Sequence, residues 1–217
     1  SIQPLQNPAL TNYLKSRGIA PEVAADYVQE MYYRVNGKSL FALAFKNNAG
    51  GYELRNPGYK GCTFPKNITR IQFAGKRNDA CFVFEGFMDY LSFLTLRQKN
   101  CPDYPDFDKQ DYLILNSVSN LSKALYPLGN YEKIHCFFDN DTAGIRAVQE
   151  LYKEYSFRVR DSSRIYSGYK DLNDYLCGKR LMQSADLTQQ TKQSQTVKQT
   201  DRQEQQPAKK KSRGFRM

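Results

Sequence analysis

At 217 residues, with 40% hydrophobic content, 16 Tyr and 13 Phe, the chain has the size of one domain with small attachments and can bury a sizeable core. No apolar run nears the ~20 residues of a bilayer-spanning helix, and the opening "SIQPLQNPAL" lacks a charged-then-apolar leader. A net charge of +10 favours a polyanionic partner.

Five scattered cysteines (Cys62, Cys81, Cys101, Cys136, Cys177) form no CxxC pair, and only His135 is present to join them. This argues for a reducing cytoplasm and against a zinc site within the chain. Cys81 and Cys136 lie in apolar runs and read as small buried hydrophobes. The start at Ser1 rather than Met leads us to expect a cut or processed chain with material upstream.

Residues 1–77 are expected to form a small α+β module. "NPALTNYLKSRGIAPEVAADYVQEMY" reads as two short helices, broken at Arg17-Gly18 and restarted by Pro21. "SLFALAFKNNAGGYELRNPGYKG" reads as a β-hairpin around the "NNAGG" turn.

From residue 78 to 182 the rhythm changes. "ACFVFEG" is a short apolar strand, followed by "FMDYLSFLTLRQ" at helical spacing. "KNCPDYPDFDKQD" is a surface loop leading to the strand "DYLILNS" and the short helix "NLSKALYPL". "KIHCFFDND" is a third strand, with the amphipathic helix "TAGIRAVQELYKEY" after it and a fourth strand around "FRVRD" or "SRIYS". Apolar strands alternating with amphipathic helices imply an α/β fold with a small parallel sheet flanked by helices. The Gln-rich tail, residues 183–217, carries eight Lys/Arg against three acids, half of the net charge. It lacks core formers and is expected to be disordered. It serves as a solubilising end or as a phosphate-contacting arm.

Ligand sites in open α/β sheets lie beyond the carboxyl ends of the strands. There the sequence sets Glu85 and Gly86, with Asp89 one helical turn on; Asn116, Ser117 and Val118; and Asp139, Asn140 and Asp141. Residues two apart on an extended stretch point the same way, so Asp139 and Asp141 can aim at a common point. A cation between them relieves their repulsion, and Mg²⁺ takes one or two such carboxylates while keeping waters for phosphate oxygens. With Glu85 on the neighbouring strand, the three acids have the form of a phosphoryl-transfer site. The local alternative is that an aspartate of "DNDTAG" caps the next helix. "YKDLNDYL" adds Lys170, Asp171 and Asp174 at a further helix start.

These motifs carry a resemblance. "EGFMDYLSF" is similar to the EGYMD signature of DnaG-type bacterial primases, "FFDNDTAGIRAV" to their DGDxAGxxA signature, and "KDLND" to their KDPDE run, with Leu-Asn replacing Pro-Asp. Glu followed by DxD on two strands is the Toprim pattern shared by primases, topoisomerases, some nucleases and recombination proteins. The match covers roughly residues 40–180; the family's KYLNSP signature is not preserved beyond Lys60, and "NSVSN" differs from its LGTA stretch. It most resembles the short primase-like proteins of conjugative or mobilisable elements, relatives of which often carry an upstream zinc ribbon.

The resemblance implies Glu85 as catalytic acid/base or metal ligand, Asp139 and Asp141 as ligands of Mg²⁺ (or Mn²⁺), and Asp89 and Asp171 as auxiliary acids. It implies Arg55 and Lys60, with Lys76, Arg77 and Lys170 as further candidates, as contacts to triphosphate or template. Tyr52 and Tyr59 are candidates for stacking on unpaired bases. The expected function is a Mg-dependent DNA primase making RNA primers in replication or transfer. Its partners would be single-stranded DNA, nucleoside triphosphates, and a helicase or mobilisation protein, with no membrane. A Toprim nuclease, or a DNA-binding module with a vestigial metal site, are the alternatives.

Overall fold

The computed structural model describes residues 1–73, 78–101 and 110–181. Lys76, Arg77, the centre of the 99–111 loop and the tail 183–217 lie outside the described residues.

The chain opens with β1 (Ile2–Pro4) and α1 (Pro8–Ser16). Asn7 caps α1 by accepting the Ala9 amide at 2.8 Å, and Pro8 at the first helical position gives up no hydrogen bond. Leu10 and Leu14, one turn apart, are its buried face. The short α2 (Pro21–Ala24) follows.

Helical spacing in the sequence carries the second helix on through "YVQEMY", but that stretch is the strand β2 (Val28–Val35). Two causes lie beyond local helical spacing. Asn36-Gly37, both at positive φ, turns β2 back into β3 (Lys38–Lys46), the twist that a two-residue hairpin requires. Glu30 is then fully buried in β2, accepting the backbone amides of Gln6 and Asn7 and the Tyr32 hydroxyl. The predicted hairpin is therefore part of a larger unit. β4 (Tyr52–Asn56) and β5 (Tyr59–Cys62) complete a five-stranded antiparallel sheet in the order β1-β2-β3-β4-β5. Asn47 builds the "NNAGG" turn, its side chain accepting from Ala49 at 2.9 Å and Gly51 at 3.0 Å.

The second sheet contains β6 (Thr69–Ile71), β7 (Ala80–Phe84), β8 (Asp111–Ile114), β9 (Lys133–Phe137) and β10 (Val159–Asp161) in the order β10-β9-β7-β8-β6. β7, β8, β9 and β10 are parallel; β6, an edge strand that carries no clear sequence signal, is antiparallel to β8. Of the two stretches considered for the last strand, β10 takes the first; Ser163–Tyr166 is a 3-10 turn. The connecting helices are α3 (Phe87–Asn100), α4 (Leu121–Leu128) and α5 (Thr142–Tyr155), with α6 (Leu172–Leu176) near the end.

The two faces of this sheet bury different partners. On one, Ala124 and Leu128 of α4 and Ala147, Val148 and Leu151 of α5 pack with Val83, Leu113, Ile134 and Cys136. On the other, Phe84 and Phe137 meet Phe87, Tyr90 and Leu91 of α3, and the same cluster takes in Leu10, Leu14, Leu43 and Phe45 from the first module. Phe45 and Phe87 stack with centroids 5.1 Å apart. The antiparallel module is thus anchored through α3 onto the parallel sheet. Among the described residues no helix is long and apolar enough to cross a membrane.

Candidate active site

The chain leaves β7 to one side for β8 and then returns to the other side for β9, which creates a crevice at the carboxyl ends of β7 and β9. Phe84 of β7 pairs with Phe137 of β9, so Glu85 and Asp139 emerge at nearly the same level. Asp89 comes from the first turn of α3. Asp171 is the N-cap of α6, accepting the Asp174 amide at 2.7 Å.

Asp89, Asp139 and Asp171 each offer a carboxylate oxygen, and these lie within 4.8 Å of one another. Burial, followed by the charges of Glu85 and Asp171, pushes the Asp139 carboxyl up to about 7. Lys170, with Nζ 3.9 Å from Asp139 Oδ2, opposes that shift. Burial, then Asp171 and Asp139, holds Asp89 well above the usual carboxylate range. Glu85 is raised by burial too, with a hydrogen bond from the Asp139 backbone pulling the other way. Its Oε2 is buried without a hydrogen-bond partner.

Of the trio singled out along the chain, Glu85 and Asp139 line one cleft, and Asp141 is turned elsewhere. Asp141 is exposed and turns its carboxylate into the α5 N-terminus, accepting Ala143 N–H at 2.9 Å and Gly144 N–H at 3.0 Å. It acts here as the helix cap. Asp89 and Asp171, which the sequence places in supporting roles, stand beside Asp139 instead.

Facing the acids is the β4–β5 wall of the first module, across a cleft of about 560 Å³. Arg55 and Lys60 are directly paired in register and both line it. The Arg55 guanidinium lies 5.4 Å from the Phe87 ring centroid and donates to the Leu54 carbonyl at 2.8 Å. Burial lowers its pKa, while Glu53, Tyr13 and Asp89 pull the other way. Lys170 lines the acidic side. Tyr59 lines the rim and is 46% exposed, whereas Tyr52 packs against the small cluster of Met31, Ala42, Ala44 and Leu54.

Three charged lining residues escape the sequence reading. Glu53 shares a strand face with Arg55 by simple alternation, a signal that was open to use. Arg17, at the end of α1, and Lys66, beyond β5, reach the cleft only through the tertiary fold.

Residues 82–176 match the family described as Toprim-like. This segment is a Toprim-like domain. Residues 1–64 match a second family, described as Domain of unknown function (DUF8464). No curated protein sequence matches the chain. Among solved structures, the chain is similar to the primase fragment of the bacteriophage T7 primase-helicase protein, at 21% identity, covering 82% of this chain and 76% of that one with a TM-score of 0.54. It also aligns with the Aquifex aeolicus primase (zinc-binding and RNA polymerase domains) at 14% identity, over 70% of this chain and 47% of that one, with a TM-score of 0.45. The T7 likeness is one of fold, and it takes in the antiparallel module together with the Toprim-like domain.

The donor set of the Toprim-like domain suits a divalent cation. All three clustered groups are carboxylates, Lys170 is the ion-pair partner that reaches Asp139, and Glu85 presents an orphaned oxygen beside them. Hard cations such as Mg²⁺ are held by one or two carboxylates plus substrate oxygens. Asp139, flanked by Asp89 and Asp171, is the residue best placed to hold one.

Proposed function

We propose that this chain is a Toprim primase, a nucleotidyltransferase that joins ribonucleotides into short primers on single-stranded DNA during replication or transfer of DNA. The observation that carries this reading is the opposition of the Asp89–Asp139–Asp171 cluster to Arg55 and Lys60 across one cleft. Acids on one wall and cations on the other suit a metal-bound triphosphate, the charge pattern that phosphoryl transfer needs. The T7 primase fragment shares the fold.

In this reading Asp139 binds Mg²⁺ or Mn²⁺ in its ionised form, and Asp89 and Asp171 complete or support the site. A cation held there would supply positive charge to the triphosphate oxygens. Arg55 grips phosphate with its planar fork, and Lys60 and Lys170 act as point charges. Glu85, with its raised pKa, is suited to take the proton of the attacking hydroxyl. Asp141 contributes through the helix it caps. We assign residues 1–77 to nucleotide and template contacts, 78–182 to the Toprim-like domain and 183–217 to a basic tail. Single-stranded DNA and nucleoside triphosphates are the proposed partners, with a helicase or mobilisation protein beyond them.

The test is primer synthesis by the full chain on single-stranded templates with ribonucleoside triphosphates and Mg²⁺ or Mn²⁺. Short ribonucleotide-dependent products are expected, and Asp139→Ala should abolish them. Degradation of DNA without nucleotides, lost in Glu85→Ala, would point to a nuclease instead. Template binding and biological activity that survive Asp139→Ala would leave a binding module.

A further inference from the structure

We propose that Glu53 is a specificity-determining residue of the cleft, accepting a hydrogen bond from the ribose 2′-hydroxyl of a bound nucleotide. Glu53 is 6% exposed, yet among the described residues no hydrogen bond or ion pair reaches its carboxylate, and it lines the cleft. Its oxygens are not among the fully buried unpartnered atoms, so the carboxylate keeps access to the cleft while most of the residue is enclosed, which leaves it little hydration and open to a ligand from that side. Burial raises its carboxyl above the ordinary range, while Arg55, Lys66 and Lys60 act at longer range to restrain that shift. A purely structural carboxylate would be drawn into an ion pair with one of these cations. Arg55 is turned instead to the Leu54 carbonyl and the Phe87 ring.

The ligand group that meets Glu53 must be a donor. Phosphate oxygens are repelled by a carboxylate and belong with Arg55 and Lys60. Glu53 and Arg55 are two residues apart on one strand face, a separation of about 7 Å. That matches the distance from a nucleotide's 5′-phosphate to its sugar hydroxyls and falls short of the far edge of the base. Carboxylate recognition of a ribose hydroxyl has precedent in dinucleotide-binding folds. On β4, Glu53 would thus read the sugar while Arg55 holds the phosphate.

The assignment rests on a nucleotide occupying the cleft, and the experiment separates the two claims. ATP and 2′-deoxyATP are titrated by calorimetry into the 217-residue chain with Mn²⁺, and into Glu53→Gln and Glu53→Ala, each checked for an unchanged thermal melt. The native protein should favour ATP by about tenfold to a hundredfold, the span of a hydrogen bond to a charged group. Glu53→Gln, which is isosteric and keeps one acceptor, should retain part of that preference, and Glu53→Ala should erase it. A preference that persists unchanged in both variants overturns the role of Glu53 while leaving the nucleotide site standing, even if base preference shifts. No binding of either nucleotide by the native protein overturns the nucleotide site and the Glu53 role together. Should Glu53→Ala fail to fold, Glu53→Gln alone decides, since an undiminished ATP preference in it counts against the proposal.

Discussion

Gly144 and Asp139 meet so closely that a Cβ on Gly144 would lie 2.1 Å from the Asp139 carbonyl oxygen. The obstacle is backbone, which cannot swing aside as a flexible side chain can. Helix α5 is therefore seated directly beneath the turn that presents the Asp139 carboxylate. Gly144→Ala should destabilise the protein by about 1–3 kcal/mol, the usual cost of overpacking. It should also weaken Mn²⁺ binding by displacing Asp139. Urea denaturation together with Mn²⁺ titration measures both; an alanine variant with native metal affinity would show that this packing does not set the site.

Asp141 offers a clean separation between cap and ligand. Its carboxylate accepts two amides at the start of α5. Asp141→Ala should cost about 1 kcal/mol, the typical value of a lost cap, and Asp141→Asn should recover most of it because Asn caps well. If the residue serves only as a cap, Asp141→Asn keeps metal affinity and catalysis near native. Loss of metal binding in a stable Asp141→Asn protein would make it a ligand as well.

What was legible in the sequence follows the range of the interactions involved. β7 announces itself as an unbroken apolar run and β9 as a largely apolar one, since both of their faces are covered, and Glu85 and Asp139 follow from the rule that ligands gather at strand ends. The capping role of Asp141 is a local motif and was visible as an alternative. β2 escapes a local reading because its buried Glu30 breaks the expected alternation, and that burial depends on amides from residues 6 and 7. The convergence of Asp171 with Asp139 depends on the return of the chain through β10 to α6, which no local periodicity encodes. Arg17 reaches the cleft for the same kind of reason, held by Asn173 at a separation of 156 residues.

The acid cluster predicts an inverted pH dependence for the metal-free protein. Asp139 titrates near an ordinary 3.8 when unfolded and is raised to about 7 when folded. Between these values the folded state holds a proton that the unfolded state has released, so stability falls as pH rises through that window. Asp89 and Glu85 shift in the same direction, and the slope belongs to the coupled group rather than to Asp139 alone. Metal-free protein should therefore be more stable at pH 5 than at pH 8, an order that saturating Mn²⁺ should reverse. Asp139→Asn should flatten the metal-free dependence; stability of the native protein that rises with pH in the absence of metal would contradict the electrostatics described above.

Asn173 joins the two halves of the cleft. It is 1% exposed, and its Nδ2 donates to the Arg17 carbonyl and to Ser92 Oγ, each at 2.8 Å. Its Oδ1 accepts from Arg17 Nε, and its backbone N–H reaches Asp89 Oδ1 at 3.3 Å. Asn173→Ala should cost about 2–3 kcal/mol, because it strands buried partners and opens a cavity. Asn173→Asp keeps the shape but loses both side-chain donors, and it adds a carboxylate next to the raised Asp89. Protonation of the introduced carboxyl restores one donor, so the variant should lose more stability at pH 8 than at pH 5, measured against native protein by urea denaturation with metal removed. Equal losses at the two pH values would mean that the donor geometry alone matters and that the added charge is not felt by the cluster.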